Sequence, residues 1–233
     1  MMSFGNRRLS PRLIDCDYLH LVTLRKAICL YAEQFQGQLI DYGAGSKPYR
    51  ELFVKAHSYQ GADFAIDGPG DILLSRDGMI PCDDACFDAL LSFQVIEHVP
   101  NPSQFLSESF RVIRPGGSLL LTTHGTWPYH PGPDNDDFYR WTAAGLCKDM
   151  QNQGFVNVLI DSVCGGVLCL LQQMLVLKDP ARKHRRGIAK TIHCTFNLAV
   201  NLIGMCLYSL FPDLCQRGDI LPICYLVRAK RPQ

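Results

Sequence analysis

Little in this chain draws it toward a charged partner. Its 23 Lys and Arg are matched by 22 Asp and Glu, a formal net charge of +1 over 233 residues. Composition therefore implies no nucleic-acid partner. No internal repeat or low-complexity segment is visible. The opening Met-Met-Ser-Phe-Gly-Asn-Arg-Arg leads to Pro11 and charged residues rather than to an apolar stretch of signal-peptide length. The expectation is a cytoplasmic protein.

What is present describes a globular protein. Apolar residues make up 47% and charged residues 19%, and the length suits one well-packed domain with an extra element. The 11 cysteines are odd in number and irregularly spaced. Cys29, Cys147, Cys169 and Cys206 fall in apolar helical patterns and Cys224 in a strand-like run. Buried reduced thiols fit this better than a disulfide framework. Cys82 and Cys86 have no second ligand pair nearby, so no metal site is expected.

The hydrophobic pattern alternates strands with helices. A helix is expected over 17–35, with Leu21, Leu24, Ile28 and Tyr31 at helical spacing. Gln38–Tyr42 reads as a strand, followed by a helix opened by Pro48 and running to about Lys55. His57–Ala62 is a second strand ending at Asp63, with turns marked by Gly61, Gly68 and Gly70. Asp88–Phe93 is a buried strand. Asn101, Pro102 and Gln104 form a helix start, with Gln104 reaching back to complete a capping box. Leu106, Phe110 and Ile113 give that helix its apolar face, and Pro115-Gly116-Gly117 ends it. Ser118–Thr123, a helix capped by Thr142 and running to Gly154, Phe155–Ile160 and a last strand within Ile220–Ala229 follow. This is an α/β, doubly wound, mostly parallel sheet covered on both faces. Ligands would bind at the rim where strand order reverses.

The run Leu39-Ile40-Asp41-Tyr42-Gly43-Ala44-Gly45-Ser46 lies at that rim. Its glycines admit a ligand close to the backbone, and the expected helix behind them would offer free N–H groups and a positive dipole end. Asp63 follows Asp41 by 22 residues, where an acid can accept from ribose hydroxyls. A pyrophosphate fits poorly. The third glycine of a dinucleotide fingerprint is replaced by Lys47-Pro48, and no Walker spacing is found.

The stretch Ile80-Pro81-Cys82-Asp83-Asp84-Ala85-Cys86-Phe87-Asp88-Ala89-Leu90-Leu91-Ser92-Phe93-Gln94-Val95-Ile96-Glu97-His98-Val99 resembles the class I S-adenosylmethionine-dependent methyltransferases. Asn101-Pro102, Phe110-Arg111-Val112-Ile113-Arg114-Pro115-Gly116-Gly117 and Leu119–Thr123 continue the likeness over about residues 38–160. It is closest to the small-molecule branch. The resemblance implies a seven-stranded Rossmann-like sheet and S-adenosyl-L-methionine as cofactor. Asp41, Gly43 and Gly45 would hold its methionine end, Asp63 the ribose and Asp77 the adenine amino group. Gln94 would turn its backbone to the ammonium. The sequence departs from the family at Ala44 and Lys47, and Lys47 narrows the loop.

An alcohol acceptor would benefit from a general base. His98 is the first candidate and His124 the second; the alternative for His98 is a structural hydrogen bond at a helix entry. Glu97 would orient His98 or pack. The loop Trp127–Trp141 pairs aromatics with carboxylates, which suits a sugar or other polar ring, and equally a rigid lid. The expected reaction is O-methylation of a small-molecule or lipid-linked, sugar-like acceptor. The alternatives are a quinone or other hydrophobic ring, and a cofactor-binding scaffold without turnover.

The expected organisation is an N-terminal helical segment 1–36, a methyltransferase domain 37–161 plus 219–230, and an apolar helical insertion 162–218 before the last strand. Ser162–Leu177 carries no charge, and Thr191–Pro212 is interrupted by His193, Asn197 and Asn201. Between them, residues 178–190 hold six Lys or Arg and one acid. Two helices lying on the inner face of a membrane, with the basic linker on anionic headgroups, fit this pattern. The alternative is a lid or a homodimer interface.

Overall fold

A computed structural model describes residues 4–66, 68–131, 136–177, 187–216 and 222–233. The described chain forms two compact units. One comprises 1–27, 126–128 and 162–224; the other comprises 28–125, 129–161 and 225–233.

The larger unit is built on a seven-stranded sheet. In chain order its strands are β1 (Gly37–Tyr42), β2 (Ala56–Asp63), β3 (Ile72–Leu73), β4 (Phe87–Phe93), β5 (Ile113–His124), β6 (Val156–Val163) and β7 (Cys224–Lys230). The spatial order is β3-β2-β1-β4-β5-β7-β6. The pairs β1–β2, β1–β4, β2–β3 and β4–β5 are parallel. Gly116 N–H donates to Arg231 O at 3.0 Å and Arg231 N–H returns to Gly117 O at 3.0 Å. The start of β5 thus lies beside the end of β7, so this last strand enters antiparallel. The order reverses between β1 and β4, as a doubly wound sheet requires.

Leu39, Leu90, Leu91, Leu119 and Leu120 are completely buried, the mark of strands covered on both faces. Ile40, Leu90, Leu106, Leu119, Met150 and Phe155 belong to one apolar core. The helix α3 (Pro102–Val112) starts as expected: Asn101 Oδ1 accepts from Gln104 N–H at 3.2 Å, with Pro102 in the first turn. The reciprocal half of the box is absent. Gln104 Nε2 donates instead to Asp77 O at 3.1 Å. Nor does Pro115-Gly116-Gly117 end this helix. It stops at Val112, and Arg114–Gly117 already belong to β5. Arg231 takes over the capping: its Nη1 donates to the carbonyls of Phe110, Arg111 and Ile113 at 3.0, 3.0 and 2.7 Å. A guanidinium satisfies the orphan carbonyls where a glycine cap was expected. The helix α4 (Ala143–Asn152) is capped by Thr142, whose Oγ1 accepts from Gly145 N–H at 3.1 Å.

The helix expected from Pro48 to Lys55 is missing. Only a 3-10 turn, Arg50–Leu52, forms there. Lys47 adopts a left-handed φ of 49°, and the chain must then enter β2 at Ala56. The link from β1 is at the lower limit for a parallel crossover, so little length remains for a helix. The buried Tyr49 and Phe53 fill the space against Phe93, at ring separations of 5.0 and 6.1 Å. The loop after β1 therefore has a 3-10 turn behind it and not the dipole of an α-helix.

The smaller unit gathers α1 (Phe4–Leu9), the first part of α2 (Tyr18–Ala32), α5 (Gly166–Leu177), α6 (Gly187–Leu210) and α7 (Pro212–Gln216). Gln172 ties α5 to the N-terminal segment by accepting from His20 N–H at 2.9 Å. All 11 cysteines are free. Cys164, Cys169, Cys215 and Cys224 are buried, whereas Cys29 and Cys206, expected inside, are exposed. Each is exposed on its helix, away from the buried face. The basic stretch 178–186 lies outside the described residues.

Candidate active site

Strands β1, β2 and β4 end together where the sheet order reverses, and Ser92 Oγ fastens β4 to β1 through Tyr42 O at 2.9 Å. The loop after β1 turns at Gly43 (φ 78°) and Gly45 (φ 49°). The two glycines serve different ends. A Cβ on Gly43 would lie 2.5 Å from both γ-carbons of Val95, so this glycine is demanded by packing. A Cβ on Gly45 would meet nothing within 4 Å, so open space lies in front of it. Gly43→Ala is therefore expected to destabilise the protein by about 2–4 kcal/mol, from the strained φ and the overlap together. Chemical denaturation measures this, and adding Val95→Ala should recover part of the loss.

Asp63 stands at the edge of that open space. Its Oδ2 accepts from Gly45 N–H at 2.7 Å and its Oδ1 from Phe64 N–H at 2.7 Å. Each carboxylate oxygen retains a further lone pair toward a ligand. Asp41 sits deeper, 1% exposed, with Oδ2 accepting from the Tyr59 hydroxyl at 2.6 Å. Burial first, and the Asp41 charge second, push the Tyr59 hydroxyl far up, so it remains a proton donor. Asp41 thus braces β1 against β2 beneath the loop rather than lining its surface.

Lys47 does not fill the space before Gly45. Its ammonium forms a nearly buried ion pair with Asp71, whose Oδ1 accepts from Gly61 N–H at 2.9 Å. Gly61 lies inside β2, not in a turn, and a Cβ there would sit 3.0 Å from the Ala44 Cβ. Asp77 is exposed in the turn after β3, with Oδ1 accepting from Ser75 Oγ at 2.6 Å. A Cβ on the neighbouring Gly78 would approach the exposed Phe64 ring at 3.8 Å. Gln94 leaves β4 in a left-handed conformation (φ 60°), its N–H donating to Thr122 O at 2.9 Å.

Beyond Gln94 the chain makes a 3-10 turn, Ile96–His98. His98 Nδ1 lies 2.5 Å from Asp136 O. A carbonyl only accepts, so Nδ1 carries the proton and the neutral ring keeps Nε2 as its basic nitrogen. His130 stands edge-on between His98 and His124, with centroid separations of 5.0 and 4.9 Å. Glu97 does not orient His98. Its Oε1 lies 3.4 Å from His124 Nε2, and its Oε2 accepts from Thr123 Oγ1 at 2.9 Å. Complete burial raises the Glu97 carboxyl well above its usual range. His124 is itself only 2% exposed.

Sequence reasoning passed over His130, Asp137 and Arg140 as individual residues. Asp137 is the hub of the loop that follows β5. Arg140 donates to its two oxygens at 2.6 and 2.8 Å, and His130 N–H adds a bond of 2.8 Å. Burial pulls the Asp137 carboxyl up, but Arg140 and His130 outweigh it and hold it at about 2. Phe138 and Tyr139 N–H groups both donate to Glu97 O, at 2.9 and 3.2 Å, which clamps the loop onto the 3-10 turn. The only sequence signal was the density of His, Asp and Arg among aromatics. Trp127 packs elsewhere, against His20 in the smaller unit at 4.9 Å, and residues 132–135 lie outside the described set.

Ligand atoms of His98, His130 and Asp137 come within 4.8 Å of one another. They do not fit a divalent cation. Both Asp137 oxygens are engaged by a guanidinium. A cation placed there would face Arg140 at close range.

Residues 54–121 match a family model described as a methyltransferase domain. The Probable S-adenosylmethionine-dependent methyltransferase of Mycolicibacterium smegmatis is 40% identical over 80 residues, 33% of this chain and 31% of the relative. The mitochondrial Ubiquinone biosynthesis O-methyltransferase of Dictyostelium discoideum is 48% identical over 40 residues, 17% of this chain and 12% of the relative. The matches thus span less than a third of these relatives' own lengths. A SAM dependent methyltransferase from Archaeoglobus fulgidus superposes with a TM-score of 0.52 at 16% identity, covering 90% of this chain and 93% of that one. The [4+2]-cyclase SpnF superposes at 0.56 and 17% identity, covering 91% and 82%, so the fold also carries other chemistry. The matched segment, residues 54–121, contains the acid that closes on the glycine loop at the switch point, and it makes this part of the chain similar to a methyltransferase domain.

Proposed function

We propose that this protein transfers a methyl group from S-adenosyl-L-methionine to a hydroxyl oxygen of a small-molecule acceptor, with His98 as general base. The observation that carries the reading is the His98 ring, whose Nδ1 is fixed by Asp136 O so that the basic Nε2 is the nitrogen left for the acceptor. The residues fit the cofactor. Open space lies before Gly45, and Asp63 borders it with acceptor capacity to spare. Gly45 and Gln94 would hold the methionine end, Asp63 the ribose, and Asp77 with Phe64 the base. When bound, the cofactor supplies an activated methyl group on a sulfonium. The protein's own part is to align the acceptor, exclude water and take the hydroxyl proton at His98 Nε2.

The test of the cofactor site is Asp63→Asn, read by isothermal titration with S-adenosylmethionine. Loss of a charged acceptor predicts a fall in affinity of about 10- to 100-fold. Unchanged affinity would remove Asp63 from the site. Release of S-adenosylhomocysteine with a panel of acceptors separates an enzyme from a scaffold without turnover.

A sugar-like or lipid-linked acceptor is supported by the exposed rings of Tyr129, Phe138 and Tyr139 on the loop after β5, which offer flat faces to a polar ring. Asp137 does not contribute to that argument, because Arg140 and His130 occupy it. A quinone or other hydrophobic ring is the second reading, favoured by the matched stretch of the Dictyostelium discoideum ubiquinone biosynthesis enzyme. Analysis of methylated products from a membrane fraction distinguishes the two.

A further inference from the structure

We propose that the helices of the smaller unit dock on an anionic lipid bilayer, with α6 lying in the plane of the interface rather than crossing it. The inference stands on α6 itself and does not depend on the acceptor.

The amphipathicity of α6 is inverted. Its buried side carries His193, Asn197 and Asn201 at successive intervals of four residues. Asn197 Nδ2 donates to Ile14 O at 3.1 Å and lies 3.2 Å from His193 Nε2. Asn201 Nδ2 donates to Leu13 O at 2.6 Å and Asp15 O at 3.0 Å. Farther along the same stripe, Gly204 lets α2 approach, since a Cβ there would lie 2.8 Å from both δ-carbons of Leu19. The outer side is aliphatic: Ile188 is 81% exposed, Ile192 64%, Ile203 54% and Leu210 71%. Lys190 is the one charged residue among the 24 of α6. Leu170, Met174 and Leu177 of α5, and Leu214 of α7, are also exposed. A helix on a water-facing surface has the opposite arrangement, polar outside and apolar inside. An apolar surface of this extent marks a binding face.

By length and composition α6 is able to cross a membrane. Its polar stripe argues against crossing. Asn197 and Asn201 are bonded to the backbone of residues 13–15, which would have to enter the hydrocarbon with them. A helix lying in the interface keeps that polar side away from lipid and buries only the outer face.

Charge selects lipid over a second copy of the chain. The sequence between α5 and α6 contains Lys178, Arg182, Lys183, Arg185 and Arg186 against Asp179; residues 178–186 lie outside the described set. Lys190 follows, exposed, in the first turns of α6. An apolar face flanked in the chain by a cluster of cations complements hydrocarbon bordered by anionic headgroups. A symmetric dimer would cover the apolar face while bringing two such clusters to one assembly.

The test is flotation of the full chain with phosphatidylcholine vesicles, with and without phosphatidylserine. The expected result is co-flotation with the anionic vesicles, weakened by added salt, and weak or no binding to the neutral ones. Ile188→Glu with Ile192→Glu should reduce the bound fraction about tenfold while circular dichroism and Tm stay unchanged, since both side chains are solvent-facing. Arg185→Glu with Arg186→Glu should remove the preference for anionic lipid. Equal flotation with both vesicle types would overturn the anionic assignment. No flotation with either, or a dimer by light scattering that the isoleucine substitutions dissociate, would overturn the membrane assignment.

Discussion

Replacing Arg111 by methionine is expected to lower the free energy of unfolding by about 3–5 kcal/mol, the cost of stranding a buried charge. Arg111 Nε and Nη2 each donate to Glu108 at 2.8 Å. Its Nη1 donates to Cys82 O and Asp84 at 2.8 Å, and Nη2 to Ile80 O at 2.9 Å. Glu108 is 1% exposed and also accepts from Ile80 N–H at 2.7 Å. The pair therefore fixes the segment leading into β4, the strand that delivers Gln94 and His98. Methionine matches the aliphatic volume but leaves the buried Glu108 carboxyl without its guanidinium partner. Urea denaturation is the measurement, with an unchanged slope showing that the same surface is exposed. The control is Arg111→Met combined with Glu108→Leu, which removes both charges and should restore much of the loss. A single-variant cost below about 1 kcal/mol would mean that the pair is solvated and does not anchor the segment.

Substituting His98 by alanine is expected to lower kcat about 100- to 10,000-fold, the usual contribution of a positioned general base. Affinity for S-adenosylmethionine should stay near that of the parent, because in the proposed binding mode the cofactor would be held by Gly45 and Asp63, which bond each other and not His98. The contrast with His124 sharpens the test. His124 is buried against Glu97, so His124→Ala should act mainly through stability, with Glu97 losing its neighbour. A His98→Ala enzyme that retains turnover within about tenfold would assign the ring to positioning the loop through Asp136 rather than to proton transfer.

Sequence alone determined the layered α/β class, the extra apolar helices and the candidate cofactor loop. Each rests on local information: short apolar runs in strands, a cap such as Asn101 or Thr142, and a turn at Gly43 and Gly45. Local information also misled. Pro48 reads as a helix start, but the short link from Lys47 to Ala56 leaves room only for a 3-10 turn. Pro115-Gly116-Gly117 reads as a helix stop, but Arg231, more than a hundred residues away, caps the helix. Gly43 reads as a ligand contact, but its freedom is required by Val95.

What only the tertiary structure decided is which charged and polar groups face one another. Lys47 looked like an obstruction in the loop until Asp71 was found to hold it aside. Glu97 looked like a partner for His98 and instead meets His124. The carboxylates of the loop after β5 looked available to a substrate, yet Arg140 and His130 claim Asp137. His193, Asn197 and Asn201 looked like interruptions of an apolar helix, whereas they form its inner face, where both asparagine Nδ2 groups donate to the backbone of residues 13–15. The physical reason is common to all four. Apolar periodicity is a property of a segment, but an ion pair or hydrogen bond depends on distances of a few ångströms between segments far apart in the chain, and only the folded chain sets those distances.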